Sequence, residues 1–421
     1  MLAASVGPVT DLIRITDLEH PQMPAEVAPL MAGMAALAAD HPLDVDALHR
    51  RASAETGLTD FGAQDYRERL AVFVDALTQV PNLTPGGQVS LHLQLLQMLK
   101  NRLLLNDRLA RHPEIHAIEI ARPIIIAGLP RTGTTHLHQL LAADPSLRSL
   151  PYWESLEPFL VPAEAGVEPD PRVVRTDAAV AVMNMAIPHF ALMHEMSDAW
   201  HVHEEIHLLA IDFSTMYFET IALVPAWADY YTAHDQTPHY RYLKVLLQAL
   251  QHERGGSRWV LKTPQHMEQL PVLREVFPDA TYVITHRDPV EVTISLAYML
   301  AYTGRMHQDP VQTTAIGHFW AERLEGMLNR CVRDRDALPA DQSIDVVFDD
   351  FMRDDLAMVR RICALADHEL TRQSDAAIAA YLAGHERGRL GRVDYRPEDV
   401  GLDRDDLRRR FTPYIERFLR S

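Results

Sequence analysis

The spacing of apolar positions changes near residue 120. From about Ala25 to Ile115, apolar residues recur every three to four positions, which is typical of amphipathic helices. The segment Tyr66 to Val80 shows this period, and Thr84-Pro85 offers a cap and a first-turn proline for a long helix reaching Leu109. The pattern predicts a helical N-terminal region over residues 1–118.

Beyond residue 119 the pattern alternates between short β-branched runs and helical stretches. This alternation is typical of βαβ units, so it predicts an α/β fold with a parallel β-sheet flanked by helices over residues 119–421. Residues 161–255 read as a helical insertion within it. Ligands of such sheets bind at the carboxyl ends of the strands. The predicted strands are Pro123–Gly128, Arg258–Thr263, Ala280–Arg287 and Ser343–Asp350.

Charge and composition narrow the possible functions. The chain has 40 Lys and Arg against 58 Asp and Glu, a formal net charge of −18, which argues against a nucleic-acid partner. Two cysteines are too few for a disulfide framework or a cysteine-rich metal site. The first residues lack the pattern of a signal peptide, and no apolar stretch is long enough to span a membrane. The sequence therefore predicts a cytoplasmic protein.

The segment Gly128 to Thr135 combines two glycines with an internal arginine directly after a predicted strand. A glycine-containing turn at a helix N-terminus presents backbone N–H groups and the positive end of the helix dipole to an anion. Gly128 and Gly133 have the spacing of a P-loop, but Thr134 occupies the position of its lysine. Because that lysine serves a triphosphate, the pattern argues against an ATPase, GTPase or kinase.

This segment resembles the 5′-phosphosulfate loop of sulfotransferases that use 3′-phosphoadenosine-5′-phosphosulfate (PAPS). The resemblance implies a P-loop-like fold, PAPS as donor co-substrate and no metal. It also implies that the loop binds the 5′-phosphosulfate through Arg131, Thr132, Gly133, Thr134 and Thr135, with Arg131 in addition catalytic.

Two further segments resemble the same family. Arg287 follows a predicted strand and Ser295 lies eight residues later, a spacing that in the family binds the 3′-phosphate of PAPS. Lys262 ends another strand, and the resemblance gives it the role of stabilising the leaving oxygen. Near the C-terminus, Arg389 or Arg392 would contact the 3′-phosphate by similarity to a Gly-x-x-Gly closing loop.

The catalytic base is left open between a glutamate and a histidine. Glu154 lies 154 − 131 = 23 residues beyond Arg131, close to the position of the catalytic glutamate in tyrosylprotein sulfotransferases. Histidine fills this role in cytosolic sulfotransferases, which makes His201 and His203 the alternatives. Glu154 is the first choice from the sequence.

Two other functions compete with sulfuryl transfer. Residues 203–207, His-Glu-Glu-Ile-His, fit the H-E-x-x-H pattern of zinc-dependent hydrolases. A nucleotide-binding module without catalysis would keep the phosphate contacts and lack a base. For a sulfotransferase, the methionines and aromatic residues of the insertion favour a small-molecule acceptor with an apolar or aromatic hydroxyl over a sugar. The sequence leaves the oligomeric state unknown.

Overall fold

A computed structural model describes residues 12–385 and 391–419 of the chain, in an α/β arrangement. The strands are β1 (Leu12–Ile13), β2 (Ile124–Ala127), β3 (Leu150–Pro151), β4 (Val202–His203), β5 (Val260–Thr263), β6 (Thr281–His286), β7 (Ser343–Val347) and β8 (Arg392–Val393). The α-helices are α1 (Ala28–Ala36), α2 (Val45–Thr56), α3 (Tyr66–Thr78), α4 (Pro85–Arg111), α5 (Thr134–Ala142), α6 (Tyr152–Leu156), α7 (Pro171–Ala186), α8 (Phe190–Met193), α9 (Ile206–Ala210), α10 (Tyr217–Ile221), α11 (Pro225–Ala233), α12 (Thr237–Arg254), α13 (Leu270–Val276), α14 (Pro289–Gly304), α15 (Thr313–Asp334), α16 (Phe348–Arg353), α17 (Asp355–Leu365), α18 (Arg372–Gly384), α19 (Arg404–Arg410) and α20 (Thr412–Phe418). Short 3-10 helices lie at Ala38–Asp40, Pro113–Ala117, Pro162–Glu164, Pro264–Glu268, Arg335–Ala337 and Pro397–Val400.

The central sheet is parallel, with the strand order β5-β2-β6-β7. Its register aligns Ile126 of β2 with Lys262 of β5 and Val283 of β6. Strands β2, β5 and β6 are buried along their whole length, as expected for a sheet covered on both faces by helices. All four strands lie within the runs predicted from the sequence, so the predicted α/β fold is confirmed.

The N-terminal region is helical and shares its core with the rest of the chain. Thr84 caps α4 by accepting a hydrogen bond from the amide of Gly87 (3.0 Å), at the position predicted. Phe73 of α3 stacks on Phe218 of α10 with ring centroids 3.9 Å apart, while Leu104 and Leu105 of α4 join the core beside the sheet. The apolar core therefore continues across the predicted division at residue 118.

Two small sheets escape prediction from the sequence. Strands β1 and β8 pair in parallel, with Leu12 opposite Arg392, and β3 pairs with β4 in antiparallel, with Leu150 opposite His203. Two residues are too few to show the alternation that identifies a strand. Among the described residues, the helices are too short or too polar to cross a membrane.

Candidate active site

A cavity of about 790 Å³ opens at the carboxyl edge of the central sheet. Each strand of this sheet contributes a lining residue just after it ends, namely Arg131 after β2, Pro264 after β5, Arg287 after β6 and Phe348 after β7. The edge predicted to bind ligand therefore does face a cavity, and its size suits a drug-sized molecule. Away from this edge the lining is mostly apolar and includes Met183, Ile187, Met193, Met196, Met299 and Leu300.

The loop between β2 and α5 is shaped by two glycines. A Cβ added at Gly128 would lie 1.8 Å from Oγ1 of Thr285, so no side chain fits there. Gly133 has φ +84° and directly precedes α5, a conformation that glycine adopts without strain. Thr132 fixes the turn because its hydroxyl lies 2.6 Å from the carbonyl of Leu129. The N-terminus of α5 is thereby presented to the cavity, where Thr134 and Thr135 line it.

Arg131 and Arg287 place two positive charges beside this helix N-terminus. Nη1 of Arg287 donates to the carbonyl of Arg131 (2.5 Å), and its guanidinium lies over the ring of Phe348, 4.1 Å from the centroid. Arg131 donates to the carbonyl of Met193, and its buried Nε has no hydrogen-bond partner in the part of the chain that the structure describes. Burial and the charge of Arg131 lower the pKa of Arg287.

Neither guanidinium forms an ion pair with a carboxylate of residues 12–385 or 391–419. Two adjacent cations that pair with no carboxylate of the described residues, next to loop amides, form a site for an anion. The donor set therefore fits a ligand carrying phosphate or sulfate groups.

Lys262 lies behind the cavity wall and reaches the cavity through Glu204. Its ammonium donates to the carboxylate of Glu204, which lines the cavity. Its backbone N–H donates to Glu205 (2.9 Å), whose other oxygen is 2.5 Å from Nε2 of His266. Burial raises the pKa of Glu205, but these bonds outweigh it and hold the pKa below its ordinary value. Lys262 is thus fixed between two carboxylates.

Three histidines line the cavity close to these charges, of which His203 and His207 are buried and His194 is half-buried. The rings of His203 and His207 stack with centroids 4.9 Å apart, and His194 lies 6.4 Å from His203. Burial lowers the pKa of His194 to about 3 and of His207 to about 4, and burial with the neighbouring histidines lowers the pKa of His203 well below its ordinary value. All three imidazoles are therefore neutral near pH 7, which is the form that accepts a proton.

Comparison with known proteins identifies the family. The profile described as "Sulfotransferase family" matches residues 123–372, more than half of the chain. The chain belongs to the sulfotransferase family. It transfers a sulfuryl group, as the sequence predicts, and the hydrolase and non-catalytic alternatives are not supported.

Two solved structures resemble the sulfotransferase over most of its length. Sulfotransferase STF1 from Mycobacterium tuberculosis H37Rv is 30% identical, with a TM-score of 0.76, covering 87% of this chain and 98% of STF1. Sulfotransferase STF9 from Mycobacterium avium is 28% identical, with a TM-score of 0.80, covering 91% and 98% of the two chains. No curated protein sequence matches the chain.

Glu154, predicted as the base of the sulfotransferase, lies outside the cavity. Both of its oxygens accept bonds from Arg148 (2.8 and 2.7 Å), and Arg254 approaches to 3.0 Å. Its side chain is almost completely buried in these ion pairs. This environment fits a structural ion pair rather than a proton acceptor, because two guanidinium groups occupy the carboxylate. His201, an alternative base, also lies outside the cavity and is 3.0 Å from the amide of Gln139.

The remaining predicted residues are not all brought together. Ser295 donates to the carbonyl of Val292 within α14 (3.1 Å) and does not line the cavity. Arg392 is exposed in β8, although the neighbouring Gly391 lines the cavity. Arg389 lies outside the described residues.

The zinc-hydrolase pattern does not form the expected site. Residues 203–207 run from the end of β4 into α9, whereas the zinc motif places both histidines on one helix. Among the described residues, the group of three potential ligands within 4.8 Å of one another is a different one, formed by His112, Glu114 and His252. That group lies outside the cavity lining.

Proposed function

We propose that the sulfotransferase uses PAPS as donor and transfers its sulfuryl group to the hydroxyl of a largely apolar small molecule, without a metal ion. The observation that carries this proposal is the pair Arg131 and Arg287, two cations without a described carboxylate partner at one end of an otherwise apolar cavity. The chain's net charge of −18 argues against nucleic acid as the acceptor. A cytoplasmic location stays a prediction of the sequence.

The chain's own residues divide the binding of the donor. PAPS supplies an activated sulfuryl group, whose bond to the 5′-phosphate oxygen breaks as the bond to the acceptor oxygen forms. The loop amides from Thr132 to Thr135 and the Arg131 guanidinium bind the 5′ end. Arg287 holds the 3′-phosphate through a charge-assisted contact. Contributions from Ser295, Arg389 and Arg392 remain predictions of the family resemblance.

We assign the catalytic base to His203. Its imidazole lines the cavity and is neutral near pH 7, because burial lowers its pKa. Its unprotonated ring nitrogen can accept the proton of the acceptor hydroxyl, and the negative charge of bound PAPS offsets the burial that disfavours the imidazolium. Glu204, the next residue, holds the ammonium of Lys262 near the same wall. Arg131 then offsets the negative charge that develops on the leaving oxygen. The same role for Lys262, whose ammonium is paired with Glu204 behind the cavity wall, stays a prediction of the family resemblance.

Calorimetric titration of nucleotides tests the donor assignment. Adenosine 3′,5′-bisphosphate should bind, whereas ATP with Mg²⁺ should bind at least about tenfold more weakly, because the loop lacks the triphosphate lysine. Arg287→Ala should weaken binding of the bisphosphate about 10- to 100-fold, from the loss of one charge-assisted contact. Binding of adenosine 5′-phosphate should change by about twofold or less.

The exposed Arg372 provides the matched control, since Arg372→Ala removes the same charge away from the cavity. Equal losses for the bisphosphate and for adenosine 5′-phosphate in Arg287→Ala would refute the 3′-phosphate assignment. Failure of the bisphosphate to bind the unaltered enzyme would refute PAPS as the donor.

A further inference from the structure

The cavity is elongated along α14. Arg287 lies just before this helix and His307 just after it, and both line the cavity, as do Leu296, Met299 and Leu300 of the helix itself. A helix of 16 residues is about 24 Å long. The cavity therefore has a donor end, at Arg131 and Arg287, and a distal end, near His307.

The distal end takes three of its polar side chains from segments outside residues 161–255, where the acceptor site is predicted. Ser90 and Gln94 of α4 line it together with His307. A Cβ on Gly87 would lie 2.6 Å from the carbonyl oxygen of His307, and that oxygen accepts a bond from the amide of Thr84 (2.8 Å). Glycine at position 87 thus lets the turn after α14 pack directly on α4.

This packing brings three uncharged polar side chains together. Nε2 of His307 is 3.3 Å from Oγ of Ser90, and the amide of Gln94 lies 3.4 Å from the same oxygen. Both distances are near the upper limit for a hydrogen bond, so these contacts are weak. Burial lowers the pKa of His307 to about 4, which leaves it neutral near pH 7. The group can exchange its weak internal bonds for stronger bonds to a ligand.

The other ionisable groups at this end have partners. Tyr217 donates its hydroxyl proton to Gln94 (2.7 Å). Glu219 also lines the cavity, and its carboxylate accepts a bond of 2.6 Å from Nε of Arg323. Burial raises the pKa of Glu219 to about 7, although the charge of Arg323 opposes that rise. Since no described unpaired charge faces the distal end, a charged ligand group would be buried there without a counter-ion, which is costly.

We propose that Ser90, Gln94 and His307 form a distal subsite that binds an uncharged hydrogen-bonding group of the acceptor. The acceptor is then an elongated apolar alcohol, with its reacting hydroxyl at the donor end and a hydroxyl, carbonyl or amide group at the other. This inference rests on the proposed function, which places the reacting hydroxyl next to Arg131 and His203. A sugar fits poorly, because its hydroxyls would face the apolar middle of the cavity unpaired.

The test compares 1-alkanols with α,ω-alkanediols of the same chain length. Each is titrated calorimetrically into the full-length enzyme saturated with adenosine 3′,5′-bisphosphate, and each is assayed as an acceptor with PAPS. At chain lengths that reach the distal end, the diol should bind roughly 3- to 10-fold more tightly than the alkanol, from one net hydrogen bond. The ratio of diol affinity to alkanol affinity should be largest at one chain length and smaller for shorter and longer chains.

Two substitutions and one control locate the effect. Ser90→Ala and Gln94→Leu, which keep side-chain size similar, should bring the diol-to-alkanol ratio down to about 1. Leu93→Ala changes the exposed face of the same helix, where Leu93 is 42% exposed, and should leave the ratio as it is. A thermal melt of each variant establishes that it folds.

The outcomes separate this inference from the proposed function. A ratio near 1 at every chain length in the unaltered enzyme, or a ratio that survives both substitutions, would overturn the distal subsite. If the bisphosphate binds and neither alcohol series does, the subsite is overturned while the donor assignment stands. If the bisphosphate itself does not bind, both fail together.

Discussion

The donor and distal ends of the cavity are built in different ways. The donor end takes its key residues from positions just after the strands of one parallel sheet, and it carries two cations without described carboxylate partners. The distal end joins Ser90 and His307, which are 217 residues apart in sequence, and carries no unpaired charge among the described residues. The sheet topology alone gathers charge at the first end, whereas long-range helix packing is needed to form the second.

The largest expected effect is at His203, which serves the donor end. His203→Ala should lower kcat about 100- to 10,000-fold, because it removes the group that takes the acceptor proton. Binding of adenosine 3′,5′-bisphosphate should stay within about threefold. Single-turnover sulfation and calorimetry measure the two quantities.

Glu154→Gln is the contrasting variant. It should leave kcat within about threefold and lower the melting temperature, because removing one partner of a buried ion pair costs about 3–5 kcal/mol. The reverse result, with kcat lost in Glu154→Gln and kept in His203→Ala, would return the base to Glu154.

A smaller effect, that of Arg131→Ala on ligand binding, should differ between the donor end and the distal end. Arg131→Ala should weaken adenosine 3′,5′-bisphosphate about 10- to 100-fold, since it removes a cation that contacts the donor. Diol binding, measured by calorimetry at saturating bisphosphate, should change by about threefold or less, because the distal end makes no use of this charge. Losses of equal size for donor and diol would show that the two ends do not act separately.

The smallest effect concerns pH and the buried histidines. Burial lowers the pKa of His194, His207 and His307, so the unfolded chain takes up protons before the folded chain does. These histidines should therefore lower the stability of the folded chain only when they would be protonated in the unfolded chain, below about pH 6.5. The free energy of unfolding should be at its full value above that pH and should fall as the pH drops below it. Urea unfolding at several pH values measures the slope, which should be shallower in His307→Phe and unaltered in His20→Phe, where the histidine is exposed. An unchanged slope in His307→Phe would contradict this account.

Local signals in the sequence predicted the donor end well. Short apolar runs form β2, β5, β6 and β7, and each run is followed by helical spacing. Each strand and the turn after it could therefore be predicted from its own local sequence. The turn after β6 is equally local, since Asp288 caps α14 by accepting a bond from the amide of Val290 (3.0 Å). Arg131 and Arg287 could be predicted to meet because parallel strands end at one edge.

Residues whose role depends on distant neighbours could not be predicted in this way. The chain distance from Arg131 made Glu154 the first choice as base, but Arg254, 100 residues further along (254 − 154), helps to bury its carboxylate in ion pairs. Thr84-Pro85 was readable as the start of α4, yet the contact of Thr84 and Gly87 with His307 depends on the turn after α14. His207 stood out only as part of the H-E-x-x-H pattern, and His194 gave no signal beyond its proximity to His203 in sequence.

The pairing of β1 with β8 has a consequence for biosynthesis. Ile13 accepts a bond from the amide of Asp394 (2.9 Å). The adjacent Tyr395 lies close enough to Arg131 of the donor loop for this cation to oppose the rise that burial causes in the pKa of Tyr395. Contacts so distant in sequence form late, and on the ribosome β1 must wait for almost the entire chain to be translated before β8 exists. A nascent chain stalled before residue 392 would already contain every strand of the central sheet. It would still lack Tyr395, which lies beside Arg131 in the complete fold.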